Sequence, residues 1–379
     1  MDVKIKKIAR LFYGVLTVII ILSMNPFALH GNQVYVFRLD NKVSVGDDGV
    51  IFRYINSVCE DDDENFYVLD MSAYTVYKFS NEGKLLLSFG RKGQGPGDFT
   101  FPYEVFFSQD KKIIVTEIFN IVSYFDTNGK YLDKTNFSGK FRSVSDLCYV
   151  GGKNFYGCIS KNNQDESQQI IFNGETGNTL RSLYKSSFLI AKIALEGELI
   201  QAFGIPFSES TPGLIFSYYN GFSAAAYNRK YEITIMNAQG ELVSKVTRSF
   251  PPPEFSQKEI DYHKQMLKNK KWPDQAKKRI TELMPKTKNI ISFIYVSDNL
   301  LFIFRTPDDI AQETLHYPVD IYTLGGEFQG TTTTDFYPYL ITKKYLYRVE
   351  EDDKGEMILS RYNYKLIKKQ GERGENGVR

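Results

Sequence analysis

The sequence predicts an all-β, six-bladed β-propeller with a helical insertion between its fourth and fifth blades. Three observations carry this. A four-strand grammar repeats along most of the 379 residues, a Gly-containing turn recurs before the last strand of each unit, and Tyr and Phe abound. There are 26 Tyr and 29 Phe against one Trp, and these rings suit pleated, half-buried surfaces. Apolar residues make up 42% of the chain, enough for a large core. A closed ring absorbs such a length as one unit.

The N-terminus has the form of an export signal over residues 1–31. Lys4, Lys6, Lys7 and Arg10 precede an apolar run from Leu11 to Met24, and Asn25-Pro26 breaks it before Gly31. The run is shorter than an ordinary membrane span. Cleavage is the expectation, with an uncleaved N-terminal anchor as the alternative because Leu29-His30-Gly31 departs from an A-x-A site. No cysteine follows the run, so a lipoprotein anchor is excluded. The expected location is periplasmic or extracellular, with membrane contact only through this segment.

The propeller is expected over residues 32–370, followed by a charged tail at 371–379. The turn before the last strand reads Asn81-Glu82-Gly83-Lys84, Thr127-Asn128-Gly129-Lys130, Glu175-Thr176-Gly177-Asn178, Asn237-Ala238-Gln239-Gly240 and Gly325-Gly326-Glu327. Gly and Asn supply the positive φ that tight hairpins need. Alternating runs precede the turns, such as Val76-Tyr77-Lys78-Phe79 and Ile233-Thr234-Ile235-Met236. The units read as residues 55–89, 103–136, 145–184, 214–247, 290–333 and a sixth from 337. Radial stacking of such units buries each sheet on its neighbours. Ring closure has two candidates for the outer strand of blade six, Gln33 to Leu39 and Tyr364 to Lys368.

Phe89-Gly90-Arg91-Lys92-Gly93-Gln94-Gly95-Pro96-Gly97-Asp98-Phe99, closing on Phe101-Pro102, resembles the inter-blade link of NHL-type propellers. Asn65-Phe66-Tyr67-Val68-Leu69-Asp70 resembles the second strand of the same repeat. The match covers blades one and two, and the chain as a whole resembles exported bacterial six-bladed propellers. The resemblance implies a fold and no particular activity. The link has no G-K-[ST] ending and leads into a strand, so it is no phosphate loop.

A helical hairpin is expected at 254–286. Ser256 and Glu259 have capping-box spacing, and Ile260, His263, Met266 and Leu267 share a face. A second apolar face, Ile280, Leu283 and Met284, follows Trp272-Pro273. This insert is locally basic, from Lys258 through Lys288, and Lys264, Lys268, Lys271, Trp272, Lys278 and Arg279 are candidates for docking a partner protein, a glycan or anionic headgroups. Over the whole chain, 47 Lys and Arg nearly balance 45 Asp and Glu, so no global field recruits nucleic acid.

Aligned blades superpose Ser57, Glu104 and Asp146 on successive innermost strands, which line the central channel. Converging carboxylates would suit a hard cation, with calcium at Glu104 and Asp146 similar to the sites of propeller lactonases. No cofactor is otherwise expected. The acidic run Glu60-Asp61-Asp62-Asp63-Glu64 lacks EF-hand spacing and reads as a solvated turn. With three His in the chain, and no G-x-S-x-G elbow, His-based or serine-elbow catalysis is not supported. Cys148 and Cys158 flank Gly151-Gly152 and are expected on adjacent strands, opposite or one step off, with a bond left open. The expected function is a non-catalytic scaffold for a ligand or protein, the alternative a metal-dependent hydrolase or lyase acting at the channel.

Overall fold

The computed structural model describes residues 35–45, 49–118, 121–137, 144–160, 166–173, 179–187, 214–269, 274, 277–278, 286–312, 314–351 and 356–368. The expected export segment (residues 1–31) and the charged tail (371–379) lie outside them.

Strand β1 (Tyr35–Val45) is followed by blade one: β2 (Ile55–Glu60), β3 (Phe66–Asp70), β4 (Thr75–Phe79) and β5 (Leu85–Phe89). Blade two is β6 (Pro102–Phe107), β7 (Ile113–Glu117), β8 (Ile121–Phe125) and β9 (Tyr131–Asn136). Blade three is β10 (Val144–Gly151), β11 (Asn154–Ser160), β12 (Glu166–Asn173) and β13 (Thr179–Ser187). Blade four is β14 (Leu214–Tyr219), β15 (Phe222–Tyr227), β16 (Glu232–Asn237) and β17 (Leu242–Thr247). After helix α1 (Gln257–Asn269), blade five is β18 (Ile291–Ser297), β19 (Leu300–Arg305), β20 (Tyr317–Thr323) and β21 (Phe328–Thr334). Blade six is β22 (Leu340–Ile341), β23 (Tyr345–Glu351) and β24 (Met357–Lys368), completed by β1.

The described residues thus form six four-stranded antiparallel sheets. The N-terminal strand takes the outer edge of blade six, pairing Tyr35 with Lys368 and Val45 with Leu359. The alternative closure is overturned, because Tyr364 to Lys368 prolongs β24 in the third position. A paired edge is a protected edge.

The described inter-blade spaces are aromatic and aliphatic cores. Phe52, Ile55 and Phe66 of blade one meet Tyr345, Tyr347 and Leu359 of blade six. Cys59, Tyr67 and Val76 meet Val105, Ile113 and Phe125 of blade two. Tyr231, Ile233 and Ile235 of blade four meet Ile291, Ile294 and Ile303 of blade five. The turns before the last strands carry the foreseen left-handed glycines, Gly83, Gly129, Gly240 and Gly326, each beside a bulge in the ladder. A second periodicity escaped the sequence reading. Glu64, Lys111, Gly152, Asn220 and Asp298 all have positive φ at the turn from first to second strand, in five blades.

The glycine-rich link folds on itself. Phe99 is buried against Phe125, and a side chain at Gly90 would strike its ring. Asp98 accepts from Arg91 Nε at 2.8 Å and from the Gly95 amide at 3.1 Å. Inter-blade links are also tied down by buried carboxylates ending the second strands. Asp70 accepts from the amides of Arg53 and Tyr54, and Glu117 from those of Thr100 and Phe101.

The antiparallel order gives the ring two faces. One, the link face, carries the inter-blade links and α1. The other, the turn face, carries the first-to-second strand turns. On α1 the capping box forms: Glu259 Oε2 accepts from the Ser256 amide at 2.7 Å, and the Glu259 amide donates to Ser256 Oγ at 3.2 Å. The buried stripe is Glu259, His263 and Leu267, whereas Met266 is exposed, against expectation. Glu259 takes the core position because Lys288 reaches it at 2.7 Å in full burial. Lys288 also donates to the carbonyls of Pro307 and Asp308, and Ile310 N donates to Glu259 Oε1. Lys288 therefore leaves the list of surface charges and becomes the bolt between insert and blade five. Most of the expected second helix lies outside the described residues.

Candidate functional site: the central channel

Ser57, Glu104 and Asp146 sit on β2, β6 and β10, the innermost strands of blades one, two and three. Ser57 Oγ donates to the Val105 carbonyl at 3.3 Å and accepts from its amide at 3.2 Å, joining two inner strands. Val105, next to Glu104, is buried between blades as its alternation requires. Ser57 and Glu104 line a channel cavity of about 620 Å³. Asp146 falls in a bulge between the pairs Ser145–Cys158 and Cys148–Tyr156, and its side chain lies outside the described ones. Cys148 and Cys158 lie on the adjacent strands β10 and β11 as expected, but the register shift between Tyr149 and Gly151 sets Cys148 opposite Tyr156, two residues from Cys158, not opposite or one step off. Among the described residues no three His, Cys, Asp or Glu side chains gather as metal ligands.

Five blades supply the described lining of the cavity. Aromatic walls come from Phe106, Phe216, Tyr218, Tyr219, Tyr295 and Tyr339, and charges from Glu60, Asp62, Glu64, Glu104, Asp298, Lys343 and Lys344. The acidic run forms the β2–β3 turn as expected, with Asp62 and Asp63 exposed, but it is not solvated throughout. Asp61 is buried and accepts from the Asn65 and Asp63 amides and Tyr67 Oη, with Lys78 at 3.4 Å. Glu60 Oε2 accepts from Tyr347 Oη at 2.7 Å and lies 3.5 Å from Thr342 Oγ1. Burial of its carboxyl raises the pKa to about 7, against the opposing influence of those hydroxyls and Arg361.

Around this mouth runs a chain of ion pairs between blades. Asp298 of blade five meets Lys343 of blade six at 3.4 Å, Lys344 of blade six meets Glu64 of blade one, and Asp62 of blade one meets Lys111 of blade two at 3.8 Å. The hydrogen bonds from Lys344 and Tyr345 hold the Glu64 carboxyl below its usual pKa. Burial pushes Tyr219, reaching in from blade four, up to about 12, and the Glu60 carboxylate adds to it. The contacts between blades six and one, Tyr345 with Glu64 and Tyr347 with Glu60, join residues roughly 280 apart in sequence, where no local motif announces them.

With this geometry in view, the family model described as a 6-bladed beta-propeller, DUF5128, matches residues 46–204. The fold is a six-bladed β-propeller. Among solved structures, a protein from Bacteroides fragilis described as exported is similar over 88% of this chain and 96% of its own, at 13% identity and TM-score 0.53. A member of the DUF4221 family from Bacteroides vulgatus is similar over 89% of this chain and 99% of its own, at 10% identity and TM-score 0.53. Likeness at this identity is a likeness of fold. No curated protein matches the chain.

On the propeller's link face, Lys264 and Lys268 are exposed on α1, as is Lys278 beyond it. Lys271, Trp272 and Arg279 lie outside the described residues. No described helix is long and apolar enough to cross a membrane.

Proposed function

We propose that the chain is a non-catalytic binding scaffold of the cell envelope or extracellular space, holding a small polar ligand in the central channel. The observation that carries this reading is the 620 Å³ cavity walled by aromatic rings and a few placed charges from five blades. Several of its ionisable groups are spent on one another: Glu64 on Lys344 and Tyr345, and Asp298 on Lys343. The Cys59 thiol is raised by burial and so is a poor nucleophile. Export is supported by the basic and apolar N-terminal pattern and by the exported relative of similar fold. The lysines of α1 offer a second contact surface for a protein or glycan.

A thermal-shift screen of small polar compounds, followed by mass analysis of whatever stabilises the protein, tests the reading. The expected result is a ligand recovered unchanged. Steady conversion of it would overturn the non-catalytic reading. A calcium-dependent rise in melting temperature, abolished by Glu104→Gln with Asp146→Asn, would favour the metal-dependent hydrolase or lyase instead.

A further inference from the structure

The cavity lining is both aromatic and acidic. Its carboxylates are Glu60, Asp61, Asp62, Glu64, Glu104 and Asp298, and its ammonium groups are Lys343 and Lys344. Four of these carboxylates have a described lysine at ion-pair distance: Asp61 with Lys78, Asp62 with Lys111, Glu64 with Lys344, and Asp298 with Lys343. Glu60 is different. It takes hydroxyls, not an ammonium group, at one oxygen, and it stands at the cavity wall among aromatic rings. A desolvated carboxylate beside π-faces is the chemistry that attracts a weakly hydrated organic cation, since ring quadrupole and carboxylate act with the same sign. A metal ion is a poorer fit, because rings supply no oxygen ligands and no cluster of three metal-ligating side chains stands among the described residues.

We infer that the channel receives an organic ammonium cation, a quaternary or alkylated amine, seated between the Glu60 carboxylate and the rings of Tyr219 and its aromatic neighbours. Tyr219 is the defining ring. It comes from blade four, across the ring from blade one, is half-buried against the core between blades four and five, and lines the same cavity as Glu60, whose carboxylate raises its hydroxyl pKa. The cation would give Glu60 a direct ionic partner beside the existing influence of Arg361, without needing to break any member of the ion-pair chain. This inference rests on the channel being a ligand site and adds the class of ligand.

Calorimetric titration with choline tests it, with 3,3-dimethylbutan-1-ol as the neutral isostere. Choline is expected to bind roughly tenfold or more tightly than the alcohol, the scale of cation–π and carboxylate attraction. Glu60→Gln should erase that preference while leaving the fold intact. Tyr219→Phe, which keeps the ring face, should retain choline, and Tyr219→Ala should lose it. Equal binding of choline and the alcohol would overturn the inference, as would no choline uptake at roughly 10 mM, or uptake indifferent to Glu60→Gln and Tyr219→Ala. If the compound screen finds neutral or anionic ligands in the channel but no ammonium compound, this inference falls alone. If nothing binds there, the channel-ligand reading falls with it.

Discussion

The two faces of the ring solve the same problem with different chemistry. On the turn face, neighbouring blades are linked by charge. The pairs Asp298–Lys343, Lys344–Glu64 and Asp62–Lys111 step around four consecutive blades. On the link face, blades are linked by backbone amides caught on buried carboxylates, Asp70 and Glu117, and by the insert bolted through Lys288 and Glu259. Exposed apolar side chains stand on both faces, with Leu86, Leu132, Leu242 and Val243 at the starts of outer strands on the turn face. Ile51, Tyr54, Phe101, Ile118 and Tyr337 stand exposed at strand starts and links of the link face. Burial makes the difference consequential: paired charges in water contribute little, whereas a buried pair is costly to break.

Breaking the bolt is the largest expected effect. Lys288→Met leaves Glu259 buried with no cation, and loss of about 3–5 kcal/mol is expected in urea unfolding at neutral pH. Glu259 has its pKa lowered in the fold, with burial opposing the hydrogen bonds from Lys288, Ile310 and Ser256. Its stabilisation is therefore present above the unfolded carboxyl pKa and fades as pH falls through the folded one. The penalty in the variant should shrink in acid for that reason, and an equal penalty at pH 3 and pH 7 would show that packing, not charge, holds the insert.

Next comes Glu60 on the turn face, with the opposite sign. Its folded pKa of about 7 lies above the ordinary 4.5, so the folded state binds the proton more tightly than the unfolded chain. Its contribution is fully present below pH 4.5 and is lost as pH rises through 7. Glu60→Gln keeps an acceptor for Tyr347 and removes the charge. A gain approaching about 3 kcal/mol is expected at pH 8, vanishing near pH 4, read from denaturation midpoints.

The exposed links of the ion-pair chain should matter less. Lys344→Ala is expected to cost below about 1 kcal/mol, and the loss should disappear in molar salt. Smallest of all, Tyr54→Ser and Phe101→Ser on the link face should change stability by about 0.5 kcal/mol or less. A larger loss would mean that these rings belong to the core and not to a contact surface.

The blades were legible in the sequence because their signals are local. Asn and Gly before the last strand mark left-handed turns wherever the fold occurs, and β2 to β5 end where alternation and turns put them. The inner-strand placement of Ser57 and Glu104 followed from aligning those same signals. Glu60 was not legible, since a run of five acidic residues looks hydrated until Tyr347 and Thr342, far away in sequence, are seen to cover part of it. Lys288 was misread for a like reason, as one lysine among many with nothing local to distinguish it from Lys286. Positions whose environment is made by the ring's closure have no local sequence signature.

That closure also fixes an order of events. β1 is made before all six blades' other strands, yet its partner β24 is made after them. Through most of synthesis, then, Phe37 and Leu39 have no sheet to join and must be kept from pairing elsewhere. The final blade cannot act as a nucleus, because it does not exist as a unit until both ends of the chain are present. Folding should therefore finish at the blade-six seam, making loss of β24 more damaging than loss of an ordinary outer strand.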